Sequence, residues 1–289
     1  MRWLVTGARG MLGQEIVHRL RHDGDSVAAT TRHRLDITDA KAVRRACADT
    51  RPDIVVNCAA WTAVDQAESN EDDAYRVNAD GARHLAEACA ALDARLIHIS
   101  TDYVFPGDSA WPYDEADEPA PRTAYGRTKL AGERAVLSTL PDASAVVRTA
   151  WLYGAHGANF LRTMARLERE QAAVDVVADQ HGQPTWAGDV ADRVIALGRN
   201  THSTGIFHAT SRGQTTWFAL AQEVFRLLGA DPARVRATTS RAFPTAAPRP
   251  AYSVLAHNRW KEVGIAPIRP WRDALSVAFA ETLGGRRWA

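Results

Sequence analysis

Three glycines, Gly7, Gly10 and Gly13, are spaced three residues apart in VTGARGMLGQEI at positions 5–16. They stand between the apolar run RWLVTG (2–7) and a stretch carrying Leu12, Ile16 and Leu20 on one helical stripe. A strand, a glycine turn and a helix in that order constrain the fold strongly. One glycine makes the turn, one lets backbone approach a pyrophosphate, and one lets helix pack close on strand. The pattern is G-x-x-G-x-x-G rather than G-x-G-x-x-G, but the physics is shared. Amide groups at the helix N-terminus then face an anion. A merely structural tight turn is the alternative; the flanking strand and helix favour dinucleotide binding.

The chain after the turn repeats the same alternation. Strands are expected at 26–30, 53–60, 95–101 and 144–152, with helices in DITDAKAVRRACAD, at 72–92 and at 124–140. Thr38 or Asp39 is the candidate cap of the first of these helices. This order implies an α/β fold, a doubly wound parallel sheet of Rossmann type with helices on both faces. Beyond residue 150 the pattern loosens into helices at 159–170, 188–200, 215–229 and from Trp271 to Leu283, with strands at 174–179 and 205–210. The expected division is a dinucleotide-binding domain over 1–150 and a smaller C-terminal substrate lobe over 151–289, with segments in 174–210 rejoining the main sheet.

Composition excludes several classes. The net charge is +1 and 46% of residues are hydrophobic, which fits a globular protein with a sizeable core and no strong field for nucleic acid or anionic membrane. Cys47, Cys58 and Cys89 lack metal-site or disulfide-framework spacing, so a reduced, cytoplasmic setting is expected. No window approaches the length of a membrane span, and the N-terminus does not read as a signal peptide.

TAYGRTKLAGE (123–133) places Tyr125 and Lys129 at i and i+4 on a helix, where they share a face. An ammonium there is expected to lower the tyrosine pKa towards the range of an acid–base catalyst. Such a pair is common by chance. HISTDYVF (98–105) adds a hydroxyl pair at a strand's carboxyl end, and NCAAWT (57–62) puts small residues at the end of another. After the second strand, ATTRHRLD (29–36) offers Arg32 and Arg34 where NAD sites commonly hold an acid. Pairing with a 2′-phosphate favours NADPH, with NADH also possible; two solvated arginines are the plainer alternative.

Taken together, these motifs resemble the dTDP-4-dehydrorhamnose reductase family of the extended short-chain dehydrogenase/reductase superfamily. The matching stretches include VTGARGMLG, LDITD, RPDIVVNCAAWTAVDQAE, ISTDYVFPG, TAYGRTKLAGE, VVRTAWLYG, VVADQHGQPTWAGDVA and RPAYSVL, and span about residues 3–255 in the family's order. The resemblance implies a catalytic triad of Thr101, Tyr125 and Lys129. It implies reduction of the C4 ketone of dTDP-4-dehydro-L-rhamnose by NADPH or NADH.

By the same resemblance Gly7, Gly10, Met11, Leu12 and Gly13 frame the cofactor, and Asp36 and Ile37 fall on its adenine side. Ala59, Ala60 and Trp61 pass beneath it, although the family commonly has a smaller aromatic at the Trp61 position. Asp102 and Trp151 are implied sugar contacts; core packing is the alternative for Trp151. Asn159, Gln183 and Arg249 are candidate nucleotide contacts, with helix capping open for Asn159 and surface exposure for Arg249. Glu15 matches a family position for magnesium, but no metal site is expected from it. A monomer or homodimer is expected. The alternatives are a reductase of another dTDP-4-keto-deoxysugar, such as a streptose or natural-product precursor, and a non-catalytic regulatory subunit. Presence of both Tyr125 and Lys129 argues against the latter.

Overall fold

The computed structural model describes residues 1–283. Its elements run β1 (Arg2–Thr6), α1 (Met11–His22), β2 (Ser26–Ala29), α2 (Ala40–Thr50), β3 (Ile54–Asn57), α3 (Val64–Ala67), α4 (Glu71–Tyr75), α5 (Gly81–Ala90), β4 (Arg95–Thr101), α6 (Ala124–Thr139) and β5 (Ser144–Thr149). They continue as β6 (Leu152–Tyr153), α7 (Phe160–Glu170), β7 (Val174–Val177), β8 (His181–Gly182), β9 (Thr185–Trp186), α8 (Ala187–Arg199), β10 (Gly205–His208), β11 (Thr215–Thr216), α9 (Trp217–Leu227), β12 (Val235–Thr238), α10 (Arg259–Glu262) and α11 (Trp271–Leu283).

Six parallel strands form the central sheet in the order β10-β5-β4-β3-β1-β2. The strand order reverses between β1 and β3, which opens a crevice at their carboxyl ends. The near-continuous apolar runs arise because both faces are covered. Trp3, Val5, Ile54 and Val56 pack on one face against Ile16 and Leu20 of α1 and Val190 and Val194 of α8. Leu4, Val55, Leu96 and Val146 pack on the other against Val43 of α2, Leu85 of α5 and Val136 of α6.

Caps set the helices that carry chemistry. Asp39, not Thr38, caps α2, its carboxylate accepting from the amides of Lys41 and Ala42. Thr123 Oγ1 accepts from Gly126 N at 3.0 Å and starts α6, so Tyr125 lies in the first turn and Lys129 one turn later. The helix expected over 72–92 is α4 and α5 joined by a π-helical turn, Arg76–Asp80. The buried Asn78 sits in that turn, its Oδ1 accepting from Trp61 N at 2.8 Å and its Nδ2 donating to Thr128 Oγ1 at 3.0 Å.

The stretch 174–210 divides. β10 pairs with β5 in the main sheet and α8 packs on α1. β7, by contrast, pairs in parallel with β12 in a two-stranded sheet of its own. Local alternation specifies a strand but not its partner. This small sheet and α7, α9 and α11 share a core that includes Leu161, Val176, Val224, Phe225 and Leu275. The segment 243–255 is partly strand-like: Tyr252 bridges Asp108 and His181, and Leu255 bridges Tyr113.

Candidate functional site

The β1–α1 turn has the geometry its glycines suggest. Gly7 adopts φ +63°, and a Cβ there would sit 2.6 Å from the Cys58 and Ala59 backbone. A Cβ on Gly13 would overlap Gly7 O. Gly10 precedes α1 without a side-chain cap, and the first turn carries no acid. The leading amides of α1 therefore suit a phosphate.

From this turn a cavity of about 880 Å³ runs past the ends of β3, β4 and β5 to the C-terminal lobe. Gly10, Met11, Leu12, Gly13, Ala60, Thr101, Asp102, Tyr125, Lys129, Trp151 and Arg249 line it. Of the expected cofactor contacts, Gly7 and Ala59 stand immediately behind this wall. Ala59 N donates to Asn57 Oδ1 at 3.1 Å. Trp61 is held outside the wall, its indole N–H donating to Ala63 O at 3.2 Å. Arg32, Asp36 and Ile37 lie beyond the cavity in the segment after β2. Arg32 is exposed, with its guanidinium 3.7 Å from Asp36. Asp36 Oδ1 also accepts from Thr38 N and Thr38 Oγ1 at 2.9 and 2.8 Å, a local turn. Ile37 is buried against Gly81.

Thr101 closes β4. Its hydroxyl donates to Asp102 Oδ1 at 2.9 Å and accepts from Tyr103 N at 3.2 Å. Burial pushes Asp102 up to about 6, against the pull of hydrogen bonds from Ser253 and Thr101. The expected lowering of Tyr125 is not found. Burial pushes it up to about 12, a hydrogen bond with Thr101 acts the other way, and the Asp102 charge adds to the rise. Desolvation outweighs the Thr101 hydrogen bond, so Tyr125 is protonated at neutral pH. Lys129 Nζ donates instead to Ile99 O at 2.6 Å and lies 3.2 Å from His98 Nε2. Burial lowers Lys129 to about 8, with Glu133 and Cys58 opposing.

Trp151 adopts φ +47° and stacks on Trp217 at 3.6 Å between ring centroids, 9° from parallel. Gly182 leaves room for the edge of its indole. Arg249 reaches the cavity while Nη2 donates to Asp65 Oδ2 at 2.6 Å. Two expected nucleotide contacts are committed elsewhere. Asn159 caps α7, accepting from Arg162 N at 3.1 Å and donating to Gly154 O at 3.0 Å. Gln183 is buried, accepts from Leu255 N and Thr210 Oγ1 at 2.8 Å each, and donates to Leu255 O at 3.1 Å. Glu15 is buried and paired with Arg19, which also donates to Asp192 at 2.8 Å.

Sequence reasoning missed three residues at the site. Trp217 opens a helix whose apolar spacing reads as core; its place directly after the cap Thr216 is the available signal. Tyr103 meets Tyr125 edge-on, with centroids 5.7 Å apart, and falls within the HISTDYVF stretch. Asp65, the partner of Arg249, has no local signal, because 184 residues separate them.

A doubly wound sheet with a glycine turn and a Thr-Tyr-Lys cleft defines an extended short-chain dehydrogenase/reductase. Within that class, the model of the RmlD substrate binding domain matches residues 1–283, and the chain belongs to this family, that of the dTDP-4-dehydrorhamnose reductases. It is 58% identical over 287 residues to a dTDP-4-dehydrorhamnose reductase of Streptomyces griseus, covering 98% of this chain and 94% of that protein. It is also 58% identical over 284 residues to a probable dTDP-4,6-dihydroxy-2-methyloxan-3-one 4-ketoreductase of Streptomyces antibioticus, covering 98% and 96%. A crystal structure of dTDP-4-dehydrorhamnose reductase from Bacillus anthracis in complex with NADP superposes with a TM-score of 0.93 at 38% identity, covering 97% and 99% of the two chains. Among the described residues no helix is long and apolar enough to cross a membrane.

Proposed function

We propose that the protein is an NAD(P)H-dependent reductase of the C4 ketone of dTDP-4-dehydro-L-rhamnose, giving dTDP-L-rhamnose. The observation that carries this reading is the single cleft in which a protonated Tyr125, hydrogen-bonded to Thr101, lies between the glycine turn and an aromatic wall. The naming of the Streptomyces griseus relative and the NADP complex of the Bacillus anthracis relative support it.

The glycine turn and the leading amides of α1 would hold the cofactor's pyrophosphate, and Arg32 its 2′-phosphate. Bound there, the cofactor supplies a hydride to the ketone carbon. The protein's task is to hold the ketone and manage the proton. Thr101 turns its hydroxyl hydrogen from Asp102 to the carbonyl oxygen and polarises it. Tyr125 O–H transfers its proton to that oxygen as negative charge develops, leaving a phenolate beside Lys129. Asp102 bonds a sugar hydroxyl, Trp151 stacks on the sugar with Trp217 behind it, and Arg249 pairs with the diphosphate. Loss of the proton donor is expected to lower kcat by ~10²–10⁴. Tyr125→Phe, assayed for NADPH consumption and for cofactor binding, should lose turnover and keep binding. Full turnover in Tyr125→Phe contradicts this assignment.

A second reading has a specific observation behind it. The Streptomyces antibioticus relative is named for a different dTDP-sugar ketone at the same 58% identity. That reading keeps every role above and changes only the sugar.

A further inference from the structure

A chain of side chains leads from Lys129 into the sheet, and one backbone group fixes its hydrogen-bond polarity. Ala59 N–H can only donate, and Asn57 Oδ1 accepts it at 3.1 Å. Thr6 Oγ1 donates to the same oxygen at 2.7 Å. This orients the Asn57 amide so that Nδ2 donates to His98 Nδ1 at 3.0 Å. Both residues are buried, and His98 is held well below its ordinary pKa by burial and then by Lys129. A neutral imidazole that accepts at Nδ1 carries its proton on Nε2. That nitrogen lies 3.2 Å from Lys129 Nζ.

An N–H facing an ammonium sets donor against donor, whereas the same N–H facing an uncharged amine meets a lone pair. We propose that Asn57 and His98 are positioning residues that present a fixed N–H to Lys129 and thereby make its ammonium a stronger acid, an inference that rests on the Tyr125–Lys129 reading of the site. Neither residue has a role in the site as drawn from the sequence, although both lie in stretches singled out there, NCAAWT and HISTDYVF.

The other titratable groups facing Lys129 do not supply this polarity. Glu133, one turn further along α6, favours the charged amine but is itself clamped by Arg148 at 2.7 Å. The Cys58 thiol is pushed up to about 12 by burial and stays neutral. Tyr125, one turn earlier, is protonated over the same range. Burial by itself lowers Lys129 to about 8 against Glu133 and Cys58, and the His98 N–H acts in the same direction.

The consequence is chemical. Once Tyr125 has given its proton to the new alkoxide, its phenolate must be reprotonated. An acidic ammonium gives up a proton for that purpose more readily than an ordinary lysine: an Nζ–H bond breaks and the Oη–H bond of Tyr125 is restored. The amine left behind accepts from His98 Nε2–H until solvent returns its proton.

Cε-carbon-13 lysine labelling tests this in the unliganded full chain, which has three lysines, Lys41, Lys129 and Lys261. Lys41 and Lys261 are exposed and serve as internal references. Lys129 is expected to titrate near pH 8, below the ~10.4 of a free lysine side chain. Asn57→Asp reverses the chain, since a carboxylate accepts from Nδ1–H and turns the Nε2 lone pair towards Nζ. The Lys129 midpoint should then rise by at least about one pH unit, and the alkaline limb of kcat/KM should move with it. In a His98→Leu background the same Asn57→Asp exchange should move Lys129 much less. Lys129 titrating at the ~10.4 of a free lysine side chain in the native protein overturns the proposal. An equal Asn57→Asp shift in both backgrounds overturns it too. The titration does not depend on turnover. An unmoved Lys129 beside an inactive Tyr125→Phe overturns this proposal alone, while an active Tyr125→Phe overturns the catalytic reading and leaves the titration result standing.

Discussion

Asp102, Tyr125 and Lys129 share one buried wall, and in each the uncharged form is favoured by loss of water. For Asp102 this has a consequence for stability. Its folded value of about 6 lies above the usual carboxylate value of ~3.9. Between those values the folded state holds a proton that the unfolded state has lost, so stability falls as pH rises from about 4 to about 6, and stays at the lower level above. Asp102→Asn removes the titration. Thermal unfolding should show it more stable than the native chain by about 1–3 kcal/mol at pH 7, with a flatter dependence between pH 4 and 6. A variant less stable at pH 7 than the native chain contradicts the assignment. Tyr125 and Lys129 were legible as a pair because helical i,i+4 spacing is local. Their charge states were not, because burial and the approach of His98 from another strand are properties of the packed site. Asn159 and Gln183 show what spacing does not reveal. A polar side chain near a motif reads as a ligand contact, yet the fold uses one to cap α7 and the other to tie the Leu255 backbone.

Among the elements, the β1–α1 turn is the most demanding. Gly7 combines a left-handed backbone with close approach to the Cys58 and Ala59 backbone, so a methyl group meets strain and collision together. Gly7→Ala is expected to destabilise the fold by about 1–3 kcal/mol and to abolish NADPH binding, as read by thermal melts and by titration of cofactor fluorescence. Unchanged binding contradicts the placement of the pyrophosphate. The turn was legible because spacing, strand and helix all agree within a dozen positions. The π turn at Arg76–Asp80 was not, since it accompanies contacts that Asn78 makes with Trp61 and Thr128. β7 was legible as a strand but not in its partner, for β12 lies far along the chain and alternation carries no address. The left-handed Trp151 was likewise hidden, because it accompanies stacking on Trp217, which is remote in the chain.

For the molecule as a whole, the parallel sheet follows from the alternation of apolar runs and amphipathic helices, which Gly, cap and strand signals all support. The C-terminal lobe is harder to read because its short strands and bridges pair across long separations. Tyr252 meets Asp108 and His181, and Arg249 meets Asp65. We propose that the segment before residue 150 binds the cofactor and supplies Thr101 and Asp102, while the later segment supplies most of the sugar wall, with the Asp65–Arg249 pair tying the later loop to α3. Facial selectivity at C4 lies at this scale as well. Under the proposed roles it depends on how the wall of Trp151 and Trp217 turns the sugar ring towards the hydride, which no single motif encodes. The central claim is tested most directly by the product. The protein is incubated with NADPH and enzymatically made dTDP-4-dehydro-L-rhamnose, and the sugar is examined by proton NMR. Stoichiometric NADPH oxidation and dTDP-L-rhamnose are expected. No oxidation, or the C4 epimer of rhamnose, contradicts the claim.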